Sequence, residues 1–303
     1  MEFLVSTHIN FLGHRRAAFI LSAVLILAGV ISLVVQGGPK LGIDFQGGIL
    51  LQVRFEKPIA AEEIRETLAG IGLADAEIQH FGQDREAIIR TSGEGGEDLT
   101  GAIVQALNEA SPDNRADVRR QELVGPKVGK ELRNKATLAI LYALIGILIY
   151  ISLRFEFKFA VGAVAALVHD VLITLGMFSL TGREISLPVI AAFLTVVGYS
   201  LNDTIVIYDR IREDRRKLYG KSFVEIVNTS LNESLSRTLV TSLTTLLVVL
   251  CLFFLGGAVI HDFAFALMVG VIVGTYSSLY VASPLVVEWQ MRTDARIRRR
   301  HRR

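Results

Sequence analysis

Two aspartates lie within long apolar stretches of the sequence, where a charge is hard to accommodate. Asp170 is near the middle of the stretch 159–180, and Asp203 lies in the stretch 185–208. A charged aspartate at the centre of a bilayer costs roughly 2.5–3.5 kcal/mol, so such a residue needs a partner or a task. A carboxyl group that alternates between protonated and ionised forms is the simplest proton carrier. We therefore predict a proton pathway through both aspartates; for Asp170, a hydrogen bond that merely joins two helices is the alternative.

The residues around Asp203 are themselves polar. Ser200, Asn202 and Thr204 accompany it in a short polar run of an otherwise apolar stretch. A helix with these polar groups must be enclosed by other helices or line a hydrated cavity. We predict that the three residues support the aspartate. Asp209 marks the end of the stretch a short distance on, so a carboxylate at a helix end is the alternative for Asp203.

Arg237 is a further candidate for the pathway, and His169 is a candidate supporting polar residue. Arg237 opens a hydroxyl-rich apolar stretch, and its fixed positive charge is predicted to favour the ionised form of a nearby aspartate. It flanks the same connection as Asp203, so both are expected near one side of the membrane; an arginine that reaches towards the interface is the alternative. His169 precedes Asp170, but neighbouring helical residues point about 100° apart, so it need not be its partner.

These side chains must be positioned by membrane helices. The chain has 303 residues, 51% of them hydrophobic, and a mean hydropathy of +0.46. A spanning helix needs about 20 apolar residues. Six stretches approach or meet that length, and we predict a polytopic α-helical membrane protein with six transmembrane helices, at 17–35, 136–153, 159–180, 185–208, 238–257 and 263–287. We interpret the first as a retained anchor and not a cleaved signal peptide. Cys251, the single cysteine, is expected to be buried by packing.

Charge predicts the orientation of these helices. Basic residues crowd alternate connections and the C-terminal end, so the positive-inside rule places both termini in the cytoplasm. The predicted parts follow in chain order: a cytoplasmic N-terminus at 1–16, the first span at 17–35, an extracytoplasmic domain at 37–135, a five-helix membrane region at 136–287 and a basic cytoplasmic tail at 288–303. Within the membrane region, an amphipathic helix at about 222–235 is expected on the cytoplasmic surface.

The segment 37–135 alternates between strand and helix patterns. We predict an α+β domain of ferredoxin-like type, with the order β-α-β-β-α-β. Its predicted strands are 48–55, 76–81, 87–91 and 117–124, its helices are 59–73 and 98–110, and a turn lies at 82–85. The only histidine of the segment, His80, is expected at a strand edge. A binding or force-bearing role is favoured over catalysis, although the fold alone assigns no function.

Several classes of function lack their motifs. The string at 125–131 has the wrong spacing for an ATP-binding loop, and the sequence contains neither HExxH nor GxSxG. No metal-ligand cluster of His and Cys is evident. We therefore expect no enzymatic activity, metal, cofactor or nucleic-acid partner, and we expect work to be driven by an ion gradient or a partner.

Five strings carry a resemblance that covers nearly the whole chain. They are GIDFQGG (42–48), VGPKVGKEL (124–132), HDVLITLG (169–176), VGYSLNDTIVIYDRIRE (197–213) and SRTLVTSLTTL (236–246). In this order they resemble the SecF branch of the SecD/SecF family, bacterial protein-export proteins of the resistance-nodulation-division superfamily. The family motif falls on Gly42, Asp44, Phe45, Gly47 and Gly48.

The resemblance implies a location, partners and residue roles. It implies the bacterial cytoplasmic (inner) membrane, with SecD, the SecYEG channel, YajC, preprotein substrates and membrane lipid as partners. It also implies that the proton-motive force drives movements that assist translocation, with Asp203 and Arg237 in the proton pathway and a less settled role for Asp170. A passive scaffold and a proton-coupled small-molecule exporter remain alternatives, and the coupling ion, H⁺ or Na⁺, stays open.

Overall fold

The structure, a computed structural model, describes residues 7–80, 85–91 and 96–301. Its α-helices are α1 (Arg15–Val35), α2 (Ile43–Gln46), α3 (Ala61–Gly70), α4 (Gly96–Ala110), α5 (Pro126–Arg154), α6 (Phe157–Leu180), α7 (Leu187–Lys217), α8 (Phe223–Leu255), α9 (Ala258–Ser277) and α10 (Ser283–His301). Its strands are β1 (Gly48–Phe55), β2 (Glu77–His80), β3 (Glu86–Thr91) and β4 (Ala116–Val124).

Six helical segments of the described chain are long and apolar enough to cross a membrane, which confirms the predicted number. They are Leu12–Val35, Pro126–Arg154, Phe157–Leu180, Leu187–Lys217, Phe223–Leu255 and Ile260–Arg296. The second helix begins about ten residues before its apolar stretch, and the fourth continues past it. Hydropathy marks only the part that suits hydrocarbon, whereas helical hydrogen bonds extend into water.

The amphipathic segment predicted at 222–235 is helical and forms the beginning of α8. Ser222 caps the helix: its side chain accepts from the Glu225 N–H, and its own N–H donates to the Glu225 carboxylate at 2.9 Å. The apolar face, including Val227 and Leu231, is buried against other helices of the chain. Packing against other helices therefore covers this apolar stripe.

The last span contains a π-helical turn, Ser278–Ala282, between α9 and α10. Pro284 follows it, and proline has no N–H to donate to the preceding turn. The Ser283 hydroxyl donates to the Ser278 carbonyl at 3.0 Å, so a side chain satisfies a backbone acceptor there. The chain therefore stays helical from α9 through the π-helical turn into α10.

Small residues let helices approach closely in the membrane region. A Cβ atom built on Gly29 of α1 would lie 2.7 Å from the Cα atom of Gly176 on α6. A Cβ atom built on Gly274 of α9 would lie 3.0 Å from the Cβ atom of Ser200 on α7. These contacts bring α1 against α6 and α9 against α7, as small residues commonly do in membrane helix pairs.

The described membrane region divides into enclosed and uncovered helices. Much of α6, α7 and α9 is buried, whereas α1, α5 and the later part of α8 expose most of their apolar side chains. Cys251 belongs to the uncovered part of α8 and is exposed, so the prediction of a buried thiol is wrong. Apolarity alone does not distinguish a side chain that faces lipid from one that packs inside.

Residues 40–139 and 184–187 form a second compact unit. Its antiparallel sheet has the order β2-β3-β1-β4, and α3 and α4 cover one face. Alternate residues of β1, Ile49, Leu51 and Val53, are fully buried in its core. The predicted sequence of strands and helices is present, with short α2 added before β1. The predicted turn at 82–85 falls mostly outside the described residues, and His80 lies in the edge strand β2.

Candidate functional site

Asp170 lies on α6 at the centre of a buried polar cluster. It is fully buried. Its Oδ2 atom accepts hydrogen bonds from Ser200 Oγ of α7 at 2.6 Å and from Ser277 Oγ of α9 at 2.8 Å. Its Oδ1 atom lies 2.8 Å from His169 Nδ1. The carboxyl group is thus contacted by polar side chains from three helices.

His169 extends this cluster to α1. Its Nε2 atom lies 2.9 Å from Ser22 Oγ, which lies 3.1 Å from the Tyr276 hydroxyl of α9. Tyr276 donates to the Ala18 carbonyl at 2.7 Å. Although neighbouring helical residues diverge at Cβ, the Asp170 carboxyl and the imidazole are long enough to meet, so the histidine is a partner of the aspartate.

Counting hydrogens assigns the direction of this network. The single Tyr276 hydroxyl hydrogen goes to Ala18, so Ser22 donates to Tyr276 and accepts from His169 Nε2–H. The contact between His169 Nδ1 and Asp170 Oδ1 then holds one proton, on either atom. In this form the pair is either neutral on both residues or an imidazolium beside a carboxylate.

Loss of that proton requires a rearrangement. Two facing lone pairs on His169 and Asp170 repel, so the ring must carry its hydrogen on Nδ1 and present a bare Nε2. Ser22 then donates its hydrogen to Nε2 of the ring. No hydrogen is left for the contact between the Ser22 and Tyr276 oxygens. The proton content of the pair is therefore coupled to a hydrogen bond between α1 and α9.

Asp203 lies on α7, facing Ser242 of α8, and has fewer hydrogen-bond partners than Asp170. It is buried, 3% exposed, and its Oδ2 atom accepts one long hydrogen bond, from Ser242 Oγ at 3.4 Å. Ser242 Oγ in turn lies 2.7 Å from Thr275 Oγ1. In the described chain no other side-chain hydrogen bond reaches this carboxyl group, so most of its acceptor capacity is unused.

One turn of α7 joins the two aspartates. Ser200, which donates to Asp170, precedes Asp203 by three residues, about 4.5 Å along the helix axis. Thr204 lies on the same face, 3.1 Å from the Ser278 hydroxyl. Asn202 is exposed on another face of the helix, so the structure does not bring it into the cluster.

Arg237 lies at an open polar cavity of about 520 Å³ near the end of α7. The cavity is lined by Val206, Asp209, Arg210, Glu213, Glu233, Ser234 and Arg237. Within the described part of the chain, no ion pair joins Arg237 to Asp203. Val206 is three residues beyond Asp203, so the cavity reaches to within about one helical turn of the aspartate.

The glycine-rich motif at 42–48 has its own place in the second unit. Asp44 Oδ2 accepts from the Leu187 N–H at 2.7 Å, and Gly42 N–H donates to the Ile185 carbonyl at 2.9 Å. Gly47 has φ +82°, and a Cβ atom there would lie 2.8 Å from the Cα atom of Pro126. A side chain at this position would be strained and would collide with backbone. The motif thus shapes a junction of that unit and lies outside the aspartate cluster.

Three members of the cluster were not predicted: Ser22, Tyr276 and Ser277. The only signal for them in the sequence is a hydroxyl group inside an apolar stretch, which many membrane helices carry for packing. Among the residues that the structure describes, no group of three or more His, Cys, Asp and Glu side chains could hold a metal ion.

Comparison with known proteins gives the same family throughout. A family model described as "Protein export membrane protein SecD/SecF, C-terminal" matches residues 103–292, and one described as "SecD/SecF GG Motif" matches residues 31–59. "Protein translocase subunit SecF" of Desulfurispirillum indicum is 51% identical over 292 residues, covering 94% of this chain and 93% of that protein. The protein of the same name from Vibrio alginolyticus is 48% identical over 283 residues, covering 92% of this chain and 89% of that protein.

A solved structure extends the likeness to three dimensions. The crystal structure of SecDF, described as a translocon-associated membrane protein, from Thermus thermophilus superposes with a TM-score of 0.85 at 41% identity. The match covers 95% of this chain and 39% of the SecDF chain, so this protein spans about two fifths of that longer one. With matching family models and relatives alike over nearly their full length, the chain belongs to the SecF family of protein translocase subunits.

Proposed function

We propose that this chain is a subunit of the bacterial Sec protein-export machinery that works with SecD and uses the proton-motive force to assist preproteins across the cytoplasmic membrane. Both termini lie in the cytoplasm, the second unit lies outside, and SecYEG and YajC are further partners. The SecF relatives and the SecDF structure support the role in export and the pairing with SecD. The chain supplies coupling and no enzymatic chemistry.

The observation that carries the proton-coupled part is the hydrogen-bonded His169–Asp170 pair. The pair is buried inside the membrane region, and its hydrogen count selects whether Ser22 donates its hydrogen to Tyr276 or to His169. Gain or loss of a proton can therefore bias the packing of α1 against α9. One elementary charge moved through 100 mV gains about 2.3 kcal/mol, which is enough to shift a two-state packing equilibrium substantially.

Asp203→Asn tests the second carboxyl group of the proposed pathway. We expect this variant to lose the increase in preprotein translocation that a proton gradient provides, while the ATP-driven part remains. The amide has nearly the same volume but cannot bind and release a proton. The measurement is translocation into inverted membrane vesicles with and without an ionophore that dissipates the gradient.

The control is Asp294→Asn, which changes an exposed carboxyl group outside the aspartate cluster and the Arg237 cavity. Asp294 accepts from Gln290 Nε2 at 2.9 Å, so we expect little effect. Repeating the assay with a sodium gradient identifies the coupling ion. An Asp203→Asn variant that is normally expressed, assembled and gradient-responsive would remove Asp203 from the pathway.

Tyr276→Phe tests the coupling between α1 and α9. Without the hydroxyl group the Ser22 hydrogen has no acceptor at position 276 of α9, so the protonation state of the pair no longer controls this interhelical contact. We expect most of the gradient-dependent increment to be lost, with assembly retained. Tyr280→Phe is the control, because Tyr280 packs by its ring against Phe11 and Tyr276. Equal gradient responses of the two variants would show that the Tyr276 hydroxyl group does not carry the coupling.

A further inference from the structure

A second cavity lies between the beginning of the first span and the end of the last span. It measures about 540 Å³ and is lined by Arg15, Arg16, Phe19, Leu285, Glu288, Trp289, Arg292, Thr293 and Arg296. Four of these residues are arginines and one is a glutamate, which leaves a net positive lining. None of them belongs to the aspartate cluster.

Most of the positive charge in this cavity is uncompensated. Arg15 is paired with Glu288 at 2.9 Å and also donates to the Leu12 carbonyl at 2.8 Å. Within the described residues, the guanidinium groups of Arg16, Arg292 and Arg296 have no ion-pair or hydrogen-bond partner. Arginine presents a fork of N–H donors that matches the oxygens of a phosphate group. The cavity thus offers several unused phosphate donors.

The apolar part of the lining continues the membrane-spanning surface. Phe19 and Leu285 belong to the two spanning helices, and Trp289 is 45% exposed beside them. Tryptophan is typical of the level where headgroups meet acyl chains. A ligand that fits must therefore carry a phosphate at one end and hydrocarbon at the other.

We propose that this cavity binds the headgroup of an anionic phospholipid, with its phosphodiester against Arg16, Arg292 and Arg296 and its acyl chains along Phe19 and Leu285. Basic pockets between membrane helices are known to hold anionic headgroups. The lipid ties the two ends of the membrane region together at their common edge. This site is independent of proton coupling, so either proposal can fail alone.

Trp289 provides the assay, because it is the only tryptophan in the chain. The full chain is reconstituted in phosphatidylcholine vesicles that contain a small fraction of brominated phosphatidylglycerol or, separately, brominated phosphatidylcholine. Bromine atoms quench tryptophan on contact, so the ratio of quenching reports the preference for the anionic lipid. We expect phosphatidylglycerol to be preferred by at least about fivefold, the gain expected from one arginine near a charged headgroup.

Two pairs of substitutions make the test specific. Arg292→Gln/Arg296→Gln removes charge from the cavity, whereas Arg212→Gln/Arg216→Gln removes the same charge at the same spacing from the end of α7. We expect the first pair to weaken the preference several-fold, because Arg16 is then the one unpaired arginine left in the described lining, and the second pair to retain it. Arg292→Lys/Arg296→Lys, which keeps the charge, should retain part of the preference if the first pair acts by charge and not by unfolding.

Three results would overturn the proposal. Equal quenching by the two brominated lipids in the unaltered chain would show that no anionic site exists. Equal loss in the two glutamine pairs would show general attraction of anionic lipid to a basic surface. Relief of the quenching by inorganic phosphate would assign the cavity to a soluble anion instead of a lipid.

Discussion

Asp170→Asn is expected to remove nearly all of the stimulation of preprotein export by a proton gradient. The asparagine can still accept from Ser200 and Ser277, so the helices remain joined, but it cannot share a proton with His169. Mismatched donors in the buried cluster will also reduce stability by about 1–3 kcal/mol. We expect Asp170→Asn to remove a larger fraction of the gradient-stimulated translocation than of the free energy of unfolding. Translocation into vesicles, with and without the gradient, measures the first; thermal unfolding of the purified chain measures the second.

Thr174→Val is the control for this substitution. Thr174 lies on the same helix and donates only to the Asp170 backbone carbonyl, at 2.8 Å, so its loss leaves the carboxyl group intact. We expect its gradient response to be preserved. If Asp170→Asn instead reduces recovery with SecD and leaves the gradient response of the remaining complex unchanged, the aspartate joins helices and the passive scaffold is the better account.

Gly29→Leu is expected to lower the stability of the membrane region. Its Cβ atom would lie 2.7 Å from the Gly176 Cα atom, so α1 and α6 must move apart. Overpacking of this kind commonly costs about 1–3 kcal/mol. The same displacement would lengthen the bond between His169 and Ser22. Loss of proton coupling should therefore accompany the lower unfolding temperature.

Gly146→Leu is the matched control, because it makes the same substitution inside another spanning helix. A Cβ atom at Gly146 meets no atom within 4 Å, so the leucine should be accommodated without loss of stability. Thermal unfolding of both purified variants in detergent compares them directly. Equal stabilities would show that the close approach of α1 and α6 is not needed for the fold.

The six spans and the α+β unit could be predicted because each depends on a local pattern. A run of about 20 apolar residues has few stable places other than a bilayer, and alternating residues such as Ile49, Leu51 and Val53 bury one face of a strand. Where α8 begins was less predictable. Its amphipathic stripe suits either a membrane surface or a neighbouring helix, and only the packing of Val227 decides between them.

The sequence predicted that Asp170 and Asp203 lie inside the membrane region, because long apolar stretches flank both residues. It also placed Asp203 in a polar run with Ser200. Only the tertiary structure showed that Ser22 and Tyr276 complete the cluster through His169. Those residues lie far away in the chain, and a hydroxyl group in an apolar helix has the same local pattern whether it meets a carboxyl group, a backbone carbonyl or lipid.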